Sequence, residues 1–365
     1  MVHQPLRAAM IGVGDITMLH QPAYQDFALA DLTALCDVDE DMLAARRAEW
    51  GVERITTDYK ELLADPEIDL VEVNTPHHLH KDLVIDALAA GKHVACQKPI
   101  SISIADAEAM LAAAEKASGR FRVFENFVFY PPYVKAKELI DAGEIGEVLT
   151  IRFKLGTCLF GSRWVPLRAE LWHLLEYEHG RGQAIFDDGY HKLSMAIFLG
   201  GAIEAVKGFT HCSMAYIDEP AQVIWCYRDK KLLGSFDIAF QPNIYNRSKY
   251  FPADERINII GTKGMIELTC CTGQIMDEAG LILYRDGVRY CFDDLDLDWK
   301  YSFINGIRDF PAAIRENREC LLTGERALNI LKFAYAIIIA GRIGREVKPE
   351  EVSDEWFREV VHGRA

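Results

Sequence analysis

Over roughly the first 125 residues, short apolar runs alternate with amphipathic stretches. Leu6–Val13, Leu32–Cys36, Asp69–Val73, His93–Cys96 and Arg122–Phe124 have the near-continuous hydrophobicity of strands buried on both faces. Between them, Asp41–Trp50, His80–Ala90 and Ala105–Ala117 space their apolar residues as helices do. Ser103 followed three residues later by Asp106 resembles a capping box with a shorter acid, which sets the start of the last helix. Strand–helix alternation predicts a parallel sheet with helices on both faces.

The pattern then changes. After a helix near Tyr133–Asp141, ending at Gly143, strand-like segments dominate: Val148–Leu155, Ala205–Thr210, Gln222–Tyr227, Leu232–Phe240 and Arg256–Ile260. Asp286-Gly287 between Leu281–Tyr284 and Val288–Phe292 predicts a hairpin turn. Two helical segments, Phe303–Glu316 and Glu325–Ile343, finish the chain. The expectation is an α/β domain over residues 1–125 and an α+β domain, built on a mostly antiparallel sheet, over residues 126–365.

The 365 residues are too many for one ordinary core, which agrees with two domains. A net charge of −15 argues against a nucleic-acid partner, because phosphates would be repelled. Nine scattered cysteines, none in a C-x-x-C motif, read as small buried apolar residues in a reducing compartment and not as zinc ligands. No charged leader precedes a long apolar core at the N-terminus, so no secretory signal is expected. Phe333–Ile343 is apolar but short and interrupted by Gly341 and Arg342, a buried helix rather than a membrane span. A soluble, cytoplasmic protein is expected, with no metal, membrane or nucleic acid bound.

Gly12-Val13-Gly14-Asp15-Ile16-Thr17 follows the first strand. In such a turn the first glycine permits the bend and the second lets a pyrophosphate approach the backbone, at the mouth of the following helix. Thr17 stands where a third glycine is usual, so a plain strand–turn–helix corner would explain the same residues. Asp37, at the end of the second strand, is placed to bind the adenosine ribose hydroxyls and to repel a 2′-phosphate, which selects NAD over NADP. A helix N-cap is the alternative reading of Asp37.

Two more segments extend the pattern. Thr75-Pro76-His77-His78-Leu79-His80 is followed by Gly91-Lys92-His93-Val94 and Gln97-Lys98-Pro99; Ala184-Ile185-Phe186-Asp187-Asp188-Gly189-Tyr190-His191 comes later. With Leu139–Gly146 and Gly261-Thr262-Lys263-Gly264, the chain resembles, over nearly its whole length, the glucose–fructose oxidoreductase / inositol dehydrogenase / rhizopine catabolism (Gfo/Idh/MocA) family. The resemblance implies a Rossmann domain for NAD and a second domain with an open-faced sheet for substrate binding and oligomerisation. It implies cofactor contacts from Gly12, Gly14, Asp15, Ile16, Asp37, Asn74, Thr75, Pro76, His78, His80, Gln97 and Lys98. It places Thr75–Pro76 beside the nicotinamide, Lys98 where nicotinamide ribose meets substrate, Asp187 on the substrate, and His191 as acid/base. Asn126 and Trp164 complete the expected substrate contacts, with Trp172 and His173 as further candidates or core residues. Two departures stand out: Gln97 replaces the family's usual glutamate, and Arg181-Gly182-Gln183 replaces a glycine run.

The residue chemistry agrees. Oxidising an alcohol removes a hydride from carbon and a proton from oxygen; a histidine, with an ordinary pKa near ~6.5, is suited to take that proton. A lysine ammonium stabilises developing alkoxide charge. Asp187 and His191, four residues apart, share one face of a helical turn. His77, His78 and His80 as a metal site are set aside, because His80 begins a helix. The expected function is hydride transfer from a sugar or cyclic polyol to NAD: an aldose such as a pentose, apiose or hexose to its lactone, or inositol to a ketone. The alternatives are an NAD-dependent glycosidase and a non-catalytic sugar or NAD sensor. A homodimer or homotetramer is expected, through a sheet face carrying Ile224, Cys226, Phe236, Ile238 and Phe240.

Overall fold

The structure is a computed structural model and describes residues 4–160, 181, 183–211, 219–274 and 276–363. Trp164, Trp172 and His173 lie outside the described residues. The chain divides into two compact units, Met1–Asn126 with Ser302–Leu331, and Phe127–Tyr301 with Lys332–Ala365.

The first unit holds β1 (Leu6–Ile11), α1 (Thr17–His20), β2 (Ala30–Cys36), α2 (Glu40–Trp50), β3 (Arg54–Thr56), α3 (Tyr59–Ala64), β4 (Leu70–Val73), α4 (His80–Ala89), β5 (His93–Gln97), α5 (Ile104–Ala114) and β6 (Phe121–Phe124). Its strands form one parallel sheet in the order β3-β2-β1-β4-β5-β6. β4 and β6 are buried along their whole length, as strands covered on both faces are, and each buries one charged residue, Glu72 and Arg122. β3 and α3 escape the sequence pattern because β3 is a three-residue polar strand at the sheet edge and α3 is short, started by Asp58 accepting from the Lys60 N–H at 2.9 Å. Ser103 caps α5 as expected, accepting from the Asp106 N–H at 3.2 Å.

Residues 302–331 belong to this unit for a specific reason. Arg122 in β6 is buried and donates to the Gly306 carbonyl at 2.7 Å, with its guanidinium 4.7 Å from the Phe310 ring centroid. Arg308 reaches back to the carbonyls of Ala23 (2.7 Å) and Gln25 (2.6 Å). The buried Arg122 guanidinium needs such an acceptor, and with the Arg308 bonds it ties a distant stretch of chain to the sheet.

The second unit contains α6 (Pro131–Asp141), β7 (Val148–Phe160), α7 (Asp188–Gly200), β8 (Ile203–Thr210), β9 (Ala221–Tyr227), β10 (Leu233–Tyr245), β11 (Arg247–Ser248), β12 (Ala253–Gly261), β13 (Gly264–Leu268), β14 (Gly273–Gln274), β15 (Leu281–Arg285) and β16 (Val288–Phe292). Eight strands form one sheet in the order β16-β15-β13-β12-β7-β10-β9-β8, antiparallel except for the β7–β10 pair. The β15–β16 hairpin turns at Asp286 and Gly287, both at positive φ (53° and 74°), the type I′ geometry that Asp-Gly favours. The later helices are α8 (Lys300–Glu316), α9 (Gly324–Ile343) and α10 (Asp354–His362).

Alternation along β9 separates the two faces of the large sheet. Ala221, Val223, Trp225 and Tyr227 are buried, whereas Gln222 and Ile224 are exposed. The buried side is covered by helices: Trp225 meets Phe333 of α9 edge-on at 5.3 Å, and the Tyr227 hydroxyl donates to the Ala196 carbonyl of α7 at 3.2 Å. Burying such aromatic rings stabilises the unit by about 1.5–3 kcal/mol each. The register corrects one expectation. Phe236 and Ile238 of β10 lie on this covered face and are buried, and half-buried Phe240 follows them by the same alternation, so none of the three is part of the open face; Ile224 and Leu233 are. Residue period 2 decides this, because Phe236 pairs with buried Val223 and Ser235 with exposed Ile224.

Candidate functional site

In the first unit the strand order reverses between β1 and β4, and the carboxyl ends of those strands are where a doubly wound sheet binds its ligand. Gly12 follows β1 at φ +86°, and a Cβ there would sit 2.7 Å from the Asn74 carbonyl oxygen at the end of β4. Only glycine allows these two strand ends to approach so closely. Gly14 differs: a Cβ there would meet nothing within 4 Å. Its lack of a side chain serves no internal packing, which leaves backbone open to a ligand.

Thr17 is buried, and its hydroxyl donates to the Gly14 carbonyl at 2.6 Å, so it locks the turn by a hydrogen bond where a third glycine would pack helix on sheet. α1 is only one turn long, continued by a 3₁₀ turn over Gln21–Tyr24, so the helix dipole offered to a phosphate is small. Asp37 follows β2. One carboxylate oxygen accepts from the Val13 N–H at 2.8 Å and the other from the Asp39 N–H at 3.1 Å. The helix N-cap is Asp39, which accepts from the Met42 N–H at 2.9 Å, so the capping alternative for Asp37 falls. Each Asp37 oxygen retains a lone pair for a ribose hydroxyl.

Two residues here were missed by sequence reading. Val38 is 88% exposed directly after Asp37, an apolar side chain left uncovered beside the carboxylate. Arg46 of α2 reaches back to the glycine turn, with Nε donating to the Val13 carbonyl at 3.3 Å and the guanidinium 3.8 Å from Asp15. Its distance from the turn in sequence hides it; only the packing of α2 against the loop brings it there.

At the other end of the crevice, Thr75 Oγ1 is buried without a hydrogen-bond partner among the described residues, as expected of a group reserved for a ligand. His80, the first residue of α4, is buried and joins two loops. Its Nε2 lies 2.9 Å from the Thr75 carbonyl, and its Nδ1 lies 3.1 Å and 3.2 Å from the carbonyls of Pro99 and Ile100. Burial pushes its pKa below the ordinary histidine value, against the opposing pull of those carbonyls. His78 and Pro76 are exposed on the same loop, and His77 is buried with its ring 5.6 Å from that of His80. Lys98 and Gln97 are half-buried at the end of β5; the Lys98 N–H donates to the Phe124 carbonyl (3.1 Å) and to Gln97 Oε1 (2.8 Å). Asn126 is buried, its amide donating to the Ser302 hydroxyl at 2.7 Å. The first unit thus brings together Gly12, Gly14, Asp37, Asn74, Thr75, His80, Gln97 and Lys98. An open backbone at Gly14, an available carboxylate and an orphaned buried hydroxyl fit the phosphate, ribose and nicotinamide portions of NAD.

In the second unit a π-helical turn over Gln183–Asp187 leads into α7, with Asp187 at the N-cap position and His191 one turn further. Such π turns often mark functional positions. His191 is buried, and its ring stacks on Phe127 at 4.1 Å with a 13° interplanar angle. Lys192 lies 4.9 Å from the centroid of the same phenyl ring. Lys192 is buried and paired with Asp188 (3.0 Å) and Glu255 (2.5 Å), while the other Glu255 oxygen accepts from the Thr272 N–H (2.9 Å) and hydroxyl (2.5 Å). Burial alone would lower the Lys192 pKa, but the two carboxylates raise it, so the ammonium is retained. Sequence reading singled out the Asp187/His191 pair and passed over Asp188/Lys192, which has the same i,i+4 spacing and was the available signal. Arg181 is buried with its guanidinium 5.8 Å from the Phe186 ring centroid. Trp164 lies outside the described residues. No group of three or more His, Cys, Asp or Glu side chains able to hold a metal occurs among the described residues.

Residues 6–125 match the family model described as "Oxidoreductase family, NAD-binding Rossmann fold", and residues 133–267 match the C-terminal domain of the same family. The chain is similar to the D-apiose dehydrogenase of Paraburkholderia graminis, at 26% identity over 361 residues, covering 96% of this chain and 91% of that protein. It is 30% identical over 335 residues to the trans-1,2-dihydrobenzene-1,2-diol dehydrogenase of Xenopus laevis, covering 86% of this chain and 91% of that one. Its fold is shared with an oxidoreductase from Agrobacterium radiobacter solved with NAD+, L-tartaric acid and magnesium, at a TM-score of 0.80 and 23% identity, covering 94% of this chain and 98% of the other. With a strand-order reversal at Gly12 and Asn74, an Asp37 carboxylate and matches along both halves, the chain belongs to the Gfo/Idh/MocA family of NAD-binding oxidoreductases.

Proposed function

We propose that the protein oxidises a hydroxyl group of a sugar or cyclic polyol, with His191 as the proton acceptor. What supports this reading most is the Asp187–His191 pair at the start of α7, taken with relatives named as dehydrogenases of apiose and of a cyclic diol. Bound NAD supplies the hydride acceptor. His191 takes the hydroxyl proton, its ring plane held by the stack on Phe127. Asp187 hydrogen-bonds a substrate hydroxyl, and the Lys98 ammonium stabilises negative charge developing on the reacting oxygen. In this reading residues 1–125 bind the cofactor, and residues 126–365 bind the substrate and assemble the oligomer. Asp15, Ile16, Pro76, His78, Asn126 and Trp164 are secondary candidates of the same reading.

The test is a panel of aldoses, inositols and cyclic diols with NAD and with NADP, followed by absorbance of the reduced cofactor. NADH formation with at least one substrate is expected. Lys98→Ala and His191→Ala should each lower kcat/KM by about 10²–10⁴-fold while NADH still binds. Near-unchanged turnover in both variants would remove these residues from the chemistry, and glycoside cleavage without net NADH would replace oxidation as the reaction.

A second copy of the chain is the partner we propose for the open face of the large sheet. Phe209, Ile224 and Leu233 are 68%, 59% and 58% exposed on neighbouring strands β8, β9 and β10, an apolar cluster that association would cover. We also place the protein in the cytoplasm. Burial of Cys36, Cys96, Cys158, Cys270, Cys271 and Cys320 as small apolar side chains supports a reducing compartment.

A further inference from the structure

A buried polar chain runs beneath the crevice of the first unit. Glu72 of β4 accepts from the Tyr24 hydroxyl (2.7 Å) through one oxygen and contacts His20 Nδ1 (2.9 Å) and Asn74 Nδ2 (3.4 Å) through the other. His20 Nε2 lies 3.1 Å from Gln97 Nε2, and Gln97 Oε1 accepts from the Lys98 N–H at 2.8 Å. The His20 ring is packed edge-on against Phe124 (4.9 Å) and beside Phe303 (5.6 Å), leaving it no water. The titratable and charged groups around it are Glu72, Tyr24 and, acting on both of these, Arg122.

We propose that His20, anchored by Glu72, is a positioning residue for NAD that works through Gln97 and demands an amide, not a carboxylate, at that position. The argument is one of hydrogen-bond direction. Burial alone would raise the Glu72 pKa, but bonds from His20 and Tyr24 and the nearby Arg122 hold it below the ordinary carboxylate value, so Glu72 only accepts. His20 then donates from Nδ1, and in its neutral form Nε2 must accept. The Gln97 amide supplies the N–H, which turns its carbonyl oxygen towards the Lys98 backbone. Every group has one consistent role, and the end of β5 is fixed in a single arrangement next to the Thr75 turn. A carboxylate at residue 97 has no proton for Nε2, and the chain closes again only if His20 becomes imidazolium between two carboxylates. This inference rests on NAD as cofactor and is independent of the substrate.

The experiment measures NADH affinity by fluorescence between about pH 6 and about pH 8.5. The native profile over the same range is the reference. In Gln97→Glu, affinity should be near native at the acid end and about tenfold weaker at the alkaline end. Adding His20→Gln, a side chain that does not titrate, should abolish that pH dependence. A Gln97→Glu profile no steeper than the native one, or an identical slope in the double variant, would overturn the proposal. His20→Asn gives an independent check, since its amide Nδ2 can stand in for Nδ1 and donate to Glu72, whereas the shorter side chain places no acceptor where Nε2 meets Gln97. About fivefold weaker NADH binding is expected with little change in thermal midpoint; unchanged binding would also overturn the proposal.

Discussion

The two glycines of the cofactor turn have the same chemistry and different duties. Gly12 is at positive φ with a backbone carbonyl 2.7 Å from its absent Cβ, whereas Gly14 faces open space. Gly12→Ala should therefore destabilise the protein by about 2 kcal/mol or more, through left-handed strain and overpacking together. Gly14→Ala should leave stability within about 0.5 kcal/mol of native and still weaken NADH binding, because the added methyl occupies space meant for the ligand. Thermal melts with parallel NADH titrations separate the two outcomes, and equal loss of stability in both variants would contradict this division. Asp37 shows the same logic for a charged residue: the Val13 and Asp39 N–H groups orient its carboxylate before any ribose arrives.

Elements are joined at the site by side chains more than by loops. His80 begins α4 yet packs between carbonyls of the turn after β4 and of the segment after β5, donating to one side in its neutral form, so one imidazole sets the spacing of two neighbouring strand ends. Its pKa is lowered in the folded state by burial, which gives the linkage a definite sign. The unfolded chain takes up a proton near the ordinary ~6.5 while the folded protein resists, so this stability is present above that value and is lost as pH falls below it. The thermal midpoint should drop between about pH 7 and about pH 5.5, and the drop should be smaller in His80→Asn although that variant is less stable at neutral pH. His93, also lowered by burial, keeps some of the slope in both proteins. An equal slope in native protein and variant would remove His80 from this role. Element existence was legible in sequence wherever the apolar run was long, as in β1 and α9. The edge strand β3 and the short α3 were not, because edges and short helices take their stability from neighbours and not from their own pattern.

For the whole molecule, the open face of the large sheet is the feature with consequences beyond one site. Light scattering at micromolar concentration should report a dimer or tetramer, and Ile224→Glu with Leu233→Glu should shift it towards monomer while both residues' exposure spares the fold. A native monomer would contradict the proposed partner. No helix among the described residues is long and apolar enough to cross a membrane, so α9, for all its apolar length, is a core helix.

Sequence alone determined the glycine turn, the alternation of the longer strands and helices in the first 125 residues, the family, and the Asp187–His191 and Lys98 candidates. All of these are local: a turn needs its glycines, a buried strand its apolar run, and a motif its fixed spacing. Tertiary structure decided what depends on contacts distant in sequence. It made Asp39 and not Asp37 the helix cap, brought Arg46 to the glycine turn, and joined residues 302–331 to the first unit through Arg122 and Arg308. It put Phe236 and Ile238 on the covered face, since strand pairing sets which alternate residues point inward. The chain from Glu72 through His20 to Gln97 is the clearest case. Its members come from different elements, and only folding puts their donors and acceptors within 3.4 Å of one another, where burial of His20, Tyr24 and Glu72 makes the bonds among those three obligatory.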